Sequence, residues 1–333
     1  TLFRIKLFLN PMYKLKIKLT VYRIDINNGY DVWTPDNNGY TTYSDFKGAD
    51  SQITNALAIR SNFVTPILSV PTNFLSISTY STNDMQYSYD GDWGNPDFWK
   101  DNYGWYDNSP NYDFLDTDLF PYPFYDYSFI DITNRNRETA TQEFRLTRGA
   151  NIIGFYSSNV IESDSRKGWL FGGTADSLNS KFIIKTLAGY FATKIQLHNR
   201  IRIGFNLRLE KNSIKNSFSA SSYGFDIPGF EKISSDILIG SRIELGFKPN
   251  QYLLYSLSLS RGYKTAGINQ SPNIGIKENL SNDLREYESE YVYNAESGFK
   301  LEDDKKNIAL SLFYMKRNKP QVRLSYQLDP ADP

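Results

Sequence analysis

Residues 234–270 read SSDILIGSRIELGFKPNQYLLYSLSLSRGYKTAGINQ. From Ile237 onward Ile239, Ile243, Leu245 and Phe247 are apolar, while Gly240, Arg242, Glu244 and Gly246 between them are small or charged. That period of two belongs to a strand with one greasy face and one wet face. After a turn at Lys248-Pro249-Asn250-Gln251, Leu253, Tyr255, Leu257 and Leu259 alternate with Ser256, Ser258, Ser260 and Gly262. Each arm runs for about twelve to fifteen residues, longer than strands of globular sheets and enough for the roughly nine to eleven tilted residues that cross a bilayer. In a membrane barrel the apolar face meets lipid and the wet face lines the interior. Closure removes the edges whose backbone groups hydrocarbon cannot satisfy.

The same alternation extends in both directions. Phe3, Ile5, Leu7 and Leu9 oppose Arg4 and Lys6, and Leu15, Ile17, Leu19 and Val21 oppose Lys14, Lys16 and Lys18. Lysines aimed at the bilayer midplane would cost about 2–4 kcal/mol each, so the register with lysines inward is preferred. Past Val21 the apolar positions pass to Tyr22, Ile24 and Ile26, which marks a bulge or the end of the lipid band. Further strands are expected over 52–61, 67–80, 139–147, 151–163, 181–195, 201–210, 286–301 and 308–314. Short turns near residues 11, 64, 149, 198, 250 and 303 alternate with long polar stretches, among them 27–50, 81–137, 211–233 and 265–285. Segregating turns at one end and loops at the other is the plan of an antiparallel up-and-down transmembrane β-barrel, here with about twelve strands.

Composition agrees. Apolar residues are only 40% of the 333 and mean hydropathy is −0.50, yet 25 Tyr and 22 Phe bring aromatics to 16%. No run of about 18 apolar residues exists, which removes a membrane-spanning helix and leaves a barrel open. Thirty-seven basic residues balance 37 acidic ones, so charge gives no case for a nucleic-acid partner. Without cysteine there are no disulfides or thiolate metal sites.

The run Ser258-Leu259-Ser260-Arg261-Gly262-Tyr263-Lys264-Thr265-Ala266-Gly267-Ile268-Asn269 resembles the strand-to-loop segment, of the form SRGYKxGGFN, of TonB-dependent outer-membrane receptors. Asp36-Asn37-Asn38 with Ser44-Asp45, Gln142-Glu143-Phe144-Arg145-Leu146, Tyr287-Glu288-Ser289-Glu290, and Phe313-Tyr314 leading into Gln321-Val322 are similar to the same barrel and follow it in order. Ala266 and Ile268 stand where the family more often has Gly and Phe. The resemblance implies a barrel of twenty-two strands of which residues 1–333 are a part, with the family's N-terminal plug and its C-terminal barrel strands lying outside them. It also implies the outer membrane of a Gram-negative bacterium, surrounding lipid and lipopolysaccharide, and energy coupling through TonB by way of the plug.

Candidate ligand groups fall in two places. Between Asp84 and Asp131 stand eleven aspartates, one lysine and sixteen aromatics. A loop of that length and aromatic content reads either as a capture surface at the outer mouth or as a lid whose rings pack on each other. As a capture surface it offers Trp93, Trp99, Tyr103, Trp105 and Tyr106 for stacking and Asp90, Asp92 and Asp97 for hydrogen bonds or cations. Asp90 to Asp97 also gathers oxygen donors as calcium loops do, but lacks the bidentate Glu and the spacing of an EF-hand, so calcium there is a subordinate expectation. On the wet strand faces Arg202, Arg208, Arg242 and Glu244 read either as a ligand path or as a self-satisfied wall network. Arg261 reads as an outward arginine meeting lipid phosphate or as a rim residue. No catalytic or resident metal residues are expected: the single histidine, His198, sits in a short turn away from the long loops.

The function these features imply is an outer-membrane receptor importing a scarce nutrient such as a ferric siderophore, energised through TonB, with a small molecule or metal chelate as partner and no enzymatic activity. The alternatives are a passive porin or structural barrel and a secreted glycan-binding β-protein.

Overall fold

The alternation of the opening stretch becomes a ladder in which Ile243 lies opposite Leu259 and Leu245 opposite Leu257, while Glu244 lies opposite Ser258. The computed structural model describes residues 1–36, 38–39, 41–103, 130–170, 175–222, 225–269, 286–303 and 305–322. The elements in chain order are β1 (Leu2–Met12), β2 (Leu15–Gly29), β3 (Ala49–Ile67), β4 (Val70–Asp90), α1 (Pro96–Tyr103), β5 (Ile130–Arg148), β6 (Asn151–Leu170) and β7 (Ala175–His198). They continue as β8 (Ile201–Ser222), β9 (Phe225–Phe247), β10 (Leu253–Lys264), β11 (Gly267–Ile268), β12 (Glu286–Tyr287), β13 (Glu290–Glu302) and β14 (Asn307–Asn318). All but β11 and β12, which pair with each other, form one twelve-stranded sheet whose spatial order is the sequence order. This is the antiparallel up-and-down plan read from the sequence, with β1 and β14 at its edges.

The two faces separate as the period of two demands. One hydrogen-bonded row runs Leu15, Phe63, Phe74, Leu146, Ile153, Phe191, Leu207, Ser241, Arg261, Tyr293 and Lys316 across consecutive strands. It begins among phenylalanines and leucines and ends at Lys316, whereas the apolar positions of β14, Ile308, Leu310 and Leu312, lie nearer its start. The apolar band therefore slides against the hydrogen-bonded rows, as it must when strands tilt by some 35–45° in a barrel wall. On this face Ile243, Leu257 and Leu207 keep 53%, 48% and 40% of their surface exposed, while on the other face Ser258 and Glu210 keep 5% and 7%. Large apolar groups open to the surroundings and polar groups covered invert a water-soluble core and fit a wall between lipid and lumen.

Contacts that skip a strand identify the inner face. Tyr190 of β7 reaches Arg145 of β5, Arg208 of β8 covers Tyr156 of β6, and Tyr263 of β10 reaches Glu210 of β8. Two strand spacings amount to about 9.6 Å, so such meetings need side chains converging on a concave surface.

Most of β3 to β9 runs to between 19 and 24 residues, roughly twice what a tilted bilayer crossing needs. The surplus extends past the lipid band as paired strand and corrects several sequence expectations. Residues 211–233 are not a loop, for β8 and β9 stay paired to Ser222 opposite Phe225. Of residues 81–137, those up to Asp90 and from Ile130 onward are paired strand, Pro96–Tyr103 are helix, and β6 continues to Leu170. Beyond the band the outer face meets water instead of lipid while the inner face is partly covered, so the usual apolar period that betrays a strand is inverted or lost. The turn expected at 62–66 lies instead at Leu68 and Ser69, both with positive φ (49° and 63°), the hairpin geometry normally signalled by Gly or Asn. Pro66, which closed the expected turn, and Pro71 face each other within the ladder. In β2 the register runs unbroken from Leu15 to Asn27 and shifts only between Asn27 and Gly29. Tyr22, Ile24 and Ile26 thus mark the end of the lipid band rather than a bulge.

Candidate functional site

Alternation in β5 to β9 places charged and phenolic side chains on the inner wall, where they interlock, and Tyr263 of β10 joins them across Gly240. Glu143 Oε1 accepts hydrogen bonds from Arg145 Nη2 at 2.6 Å and from the Tyr190 hydroxyl, and Arg145 Nε donates to Tyr190 Oη at 3.1 Å. Next along the wall, Arg208 donates to Glu210 Oε2 at 2.9 Å and 2.5 Å, the Tyr263 hydroxyl donates to the same oxygen at 3.0 Å, and the Arg208 guanidinium stands 5.6 Å above the Tyr156 ring. Nearer the short turns, Glu244 bridges Arg202 (3.7 Å) and Arg242 (3.6 Å). A hollow of about 400 Å³ opens on this wall, lined by Glu143, Arg145, Tyr190, Asn206, Arg208 and Arg242. Each of the three arginine side chains keeps between a third and a half of its surface exposed. The wall is therefore braced by its own ion pairs and still presents donors to the lumen.

Gly240 lets Tyr263 cross β9. A Cβ at this position would lie 3.0 Å from Tyr263 Cε1, so the ring lies flat over the bare backbone. Gly240→Val is expected to push the phenol off Glu210 and Arg208, costing about 1–2 kcal/mol through two lost hydrogen bonds. Urea unfolding in detergent, with faster proteolysis just after β10, checks it.

A second cluster forms at the loop end of the strands, where residues 30–48 meet residues 91–103. The Asp90 carboxylate accepts the backbone N–H of Asp92 and of Trp93, each at 3.3 Å, and Asp92 Oδ1 accepts that of Gly94 at 3.2 Å. Asn95 then caps α1: its Oδ1 accepts the Phe98 N–H at 2.8 Å, with Pro96 at the first helical position. These turns hold Trp93 in left-handed backbone (φ 65°) with its ring 6.0 Å from Trp33 and 29° from parallel. Phe98 stacks on Tyr43 at 4.2 Å and meets Trp99 edge-on at 5.2 Å. Gly48 passes close over Ser88, and the Ser88 hydroxyl accepts the Ala49 N–H at 2.8 Å. Partial burial, with the Asp90 carboxylate as the lesser cause, holds the Asp45 carboxyl above its usual range.

Over residues 13–332 the chain matches the family described as TonB dependent receptor-like, beta-barrel. It belongs to the TonB-dependent receptors. Among solved structures this receptor barrel is similar to the ferric yersiniabactin uptake receptor FyuA of Yersinia pestis (17% identity, TM-score 0.70), covering 94% of this chain and 44% of that one. It is also similar to the copper transporter OprC (11%, TM-score 0.61, 93% of this chain and 43% of that). The siderophore receptor PiuA of Acinetobacter baumannii follows at 13% and TM-score 0.57, covering 94% of this chain and 48% of that. At such identities the likeness speaks for the fold, and the chain spans less than half the length of each. No curated protein matches it by sequence. Receptor barrels of this family lie in the outer membrane of Gram-negative cells, and so does this one.

The receptor's two sets of sequence-derived candidates lie at different heights. Arg202, Arg242 and Glu244 come together on the inner wall, and Arg208 instead joins Glu210 and Tyr263. At the loop end Trp99 is buried at 7% exposure, whereas Trp93 stays open at 42%. Asp90 and Asp92 are buried in the turn and Asp97 is exposed in the first turn of α1. Among the described residues no group of three or more His, Asp or Glu side chains is placed to hold a metal ion. Tyr103 ends α1, and Trp105 and Tyr106 lie outside the described residues. His198 is exposed beside the short turn after β7. Sequence reasoning missed Trp33, Tyr43, Glu143, Arg145, Tyr190, Glu210 and Tyr263 as members of these clusters. Glu143 and Arg145 alternate within the motif Gln142–Leu146, but Tyr263 carries no signal, because it meets Glu210 only after β10 has parted from β9 past Arg261.

Proposed function

We propose that this receptor imports a metal chelate, a ferric siderophore being the leading case, captured at the loop end and drawn through the lumen by energy delivered through TonB. The observation that carries this reading is the hollow on the inner wall, which Arg145, Arg208 and Arg242 line with partly exposed side chains. Fixed planar donors of that kind suit the carboxylate, catecholate or hydroxamate oxygens that clothe a chelated metal. The stacked and exposed pair Trp33 and Trp93 offers a flat apolar platform at the loop end of the strands. Structural relatives named for ferric yersiniabactin, siderophore and copper traffic support a metal or metal chelate as cargo. The Asp-rich stretch remains a candidate for cationic groups on the same ligand, and calcium at Asp90 to Asp97 a lesser one.

The test is titration of ferric chelates against the receptor extracted from outer membranes, read by tryptophan fluorescence, together with uptake by whole cells. Trp93→Ala is expected to weaken binding about tenfold, the value of one good stacking contact. Uptake is expected to stop when the proton-motive force is collapsed. Unchanged affinity would remove Trp93 from the capture surface, and uptake that survives de-energisation, with steady ion conductance, would establish the passive porin instead. The secreted glycan-binding alternative is set aside by the outward apolar band.

A further inference from the structure

We infer that the lipid-facing wall over β4 to β7 is where a second copy of the receptor docks side by side in the membrane. Phe74, Phe144 and Phe155 point outward and are exposed. The next two outward residues above them are Ser76 and Ser78 in β4, Gln142 and Ala140 in β5, and Ser157 and Asn159 in β6. At the same steps above Phe205, β8 carries Leu207 and Leu209. Outward residues succeed one another every 6.6 Å or so along a strand, which a tilt of some 35–45° reduces to about 5 Å of height. An apolar band of about 25 Å therefore spans some five of them. The serines, Gln142 and Asn159 are third and fourth above the short turns, inside that band, and the exposed Tyr80 stands above them where interfacial aromatics belong.

Hydrocarbon offers such groups no partner. Gln142 Nε2 donates to Ser76 Oγ at 3.0 Å and the Ser78 hydroxyl donates to Gln142 Oε1, so these three are partly satisfied among themselves. Asn159 Oδ1 has no hydrogen-bond partner. The terminal torsion of an asparagine is broad, so either amide atom can be turned to a neighbour. On β7, Gly189 lies opposite Phe155, is exposed, and has nothing within 4 Å of where a Cβ would stand, which lets another molecule come up against its backbone. Contacts between protein segments within a membrane are built from this combination of small residues and hydrogen-bonding side chains.

Depth selects the occupant. An acyl chain leaves the polar groups unpaired, and a different protein would have to carry donors and acceptors at this one height. A second copy related by a two-fold axis along the membrane normal supplies them at the matching height by symmetry. Charge supplies the register. Glu138 is the next outward residue above Ala140, and Lys185 of β7 lies opposite Asn159, so the two flank β6 from either side. Both are exposed, and among the described residues neither forms an ion pair. An axis beside β6 exchanges the flanks: Glu138 of each copy faces Lys185 of the other, and Ser157 and Asn159 meet their own counterparts. The contact is independent of what the receptor imports.

The test uses the full-length receptor in native outer membranes. The 333 residues contain no cysteine, so Ser157→Cys puts a thiol beside the axis and Leu257→Cys puts one on the lipid face of β10, away from it. A short bismaleimide is expected to join Ser157→Cys into a species of twice the receptor's mass and to leave Leu257→Cys monomeric. Absence of that species, equal yields at the two positions, or a product with a different polypeptide would each overturn the assignment. Glu138→Lys and Lys185→Glu are each expected to lower the cross-linking of Ser157→Cys and to raise the dimer dissociation constant, measured by sedimentation in mild detergent, about tenfold, because each reverses two ion pairs per dimer. Combined, the two substitutions are expected to restore the dimer. A combined variant as weak as either alone would overturn the two-fold arrangement. If the charge variants do not fold, the comparison of Ser157→Cys with Leu257→Cys decides it.

Discussion

Leu207→Arg is expected to destabilise the barrel by about 2–4 kcal/mol in lipid, the cost of an arginine on the lipid face near mid-bilayer. The force of this expectation comes from the neighbour. Arg208 is a native arginine one residue further along the same strand, at nearly the same depth, and it is held by Glu210 and the Tyr263 hydroxyl. Leu207 instead lies between Phe191 and Ser241 in its row, with 40% of its surface open to the acyl chains. Depth and chemistry are almost constant between the two positions, so only the face differs. Asn206→Arg, on the inner side and exposed, is expected to change stability by less than about 0.5 kcal/mol. Both are read by urea titration of the barrel folded into vesicles, following the change in gel migration. A small effect of Leu207→Arg together with a large one of Asn206→Arg would turn the barrel inside out and remove the lumen reading of the arginines with it.

The same contrast explains what the sequence could disclose. Wherever strands cross hydrocarbon, the two faces meet different solvents and the chain alternates, which is why β8 and β9 are readable from Ile201 to Glu210 and from Ile237 to Phe247. Past the band, Ser213, Lys215, Ser217 and Ser219 face water on one side while Asn212, Ile214, Asn216 and Phe218 are buried on the other. The usual sign of the period is then inverted or lost, and paired strand passes for loop. Trp93 was legible as a candidate because a tryptophan amid aspartates and glycines is unusual. Its partner Trp33 was not, since nothing in a single sequence ties two loops some sixty residues apart. The inner charges Arg202, Arg242 and Glu244 were legible by parity, and their mutual bridging follows from register. Tyr263 was hidden because it serves a strand two places away, over a glycine whose only signal is its small size.

Where the strands leave the bilayer, tertiary side-chain contacts must replace the sorting that lipid imposes below, and Asp164 is the strongest such contact. Its Oδ1 accepts from Arg135 Nε at 2.6 Å, and its Oδ2 accepts from Arg135 Nη2 at 2.7 Å and Arg166 Nη2 at 2.8 Å, with the carboxylate side chain only 3% exposed. Removing it leaves two guanidinium groups side by side on the inner wall. Breaking a fully buried ion pair costs about 3–5 kcal/mol. Arg135 and Arg166 keep 33% and 28% of their side-chain surface in water, so the expected loss for Asp164→Ala is nearer 2 kcal/mol. Because the triad lies past the lipid band, the loss is expected to be local: faster amide exchange in the outer halves of β5 and β6, with the spans through the bilayer unaffected. Replacing both partners, Arg135→Met with Asp164→Leu, is expected to recover part of the protection, because the apolar pair removes one of the two guanidinium groups that the lost carboxylate leaves behind, while Arg166 still loses its partner. A double variant no better than Asp164→Ala would show that the carboxylate acts chiefly on Arg166, and the bracing of β5 against β6 would then have to reside in the ladder alone.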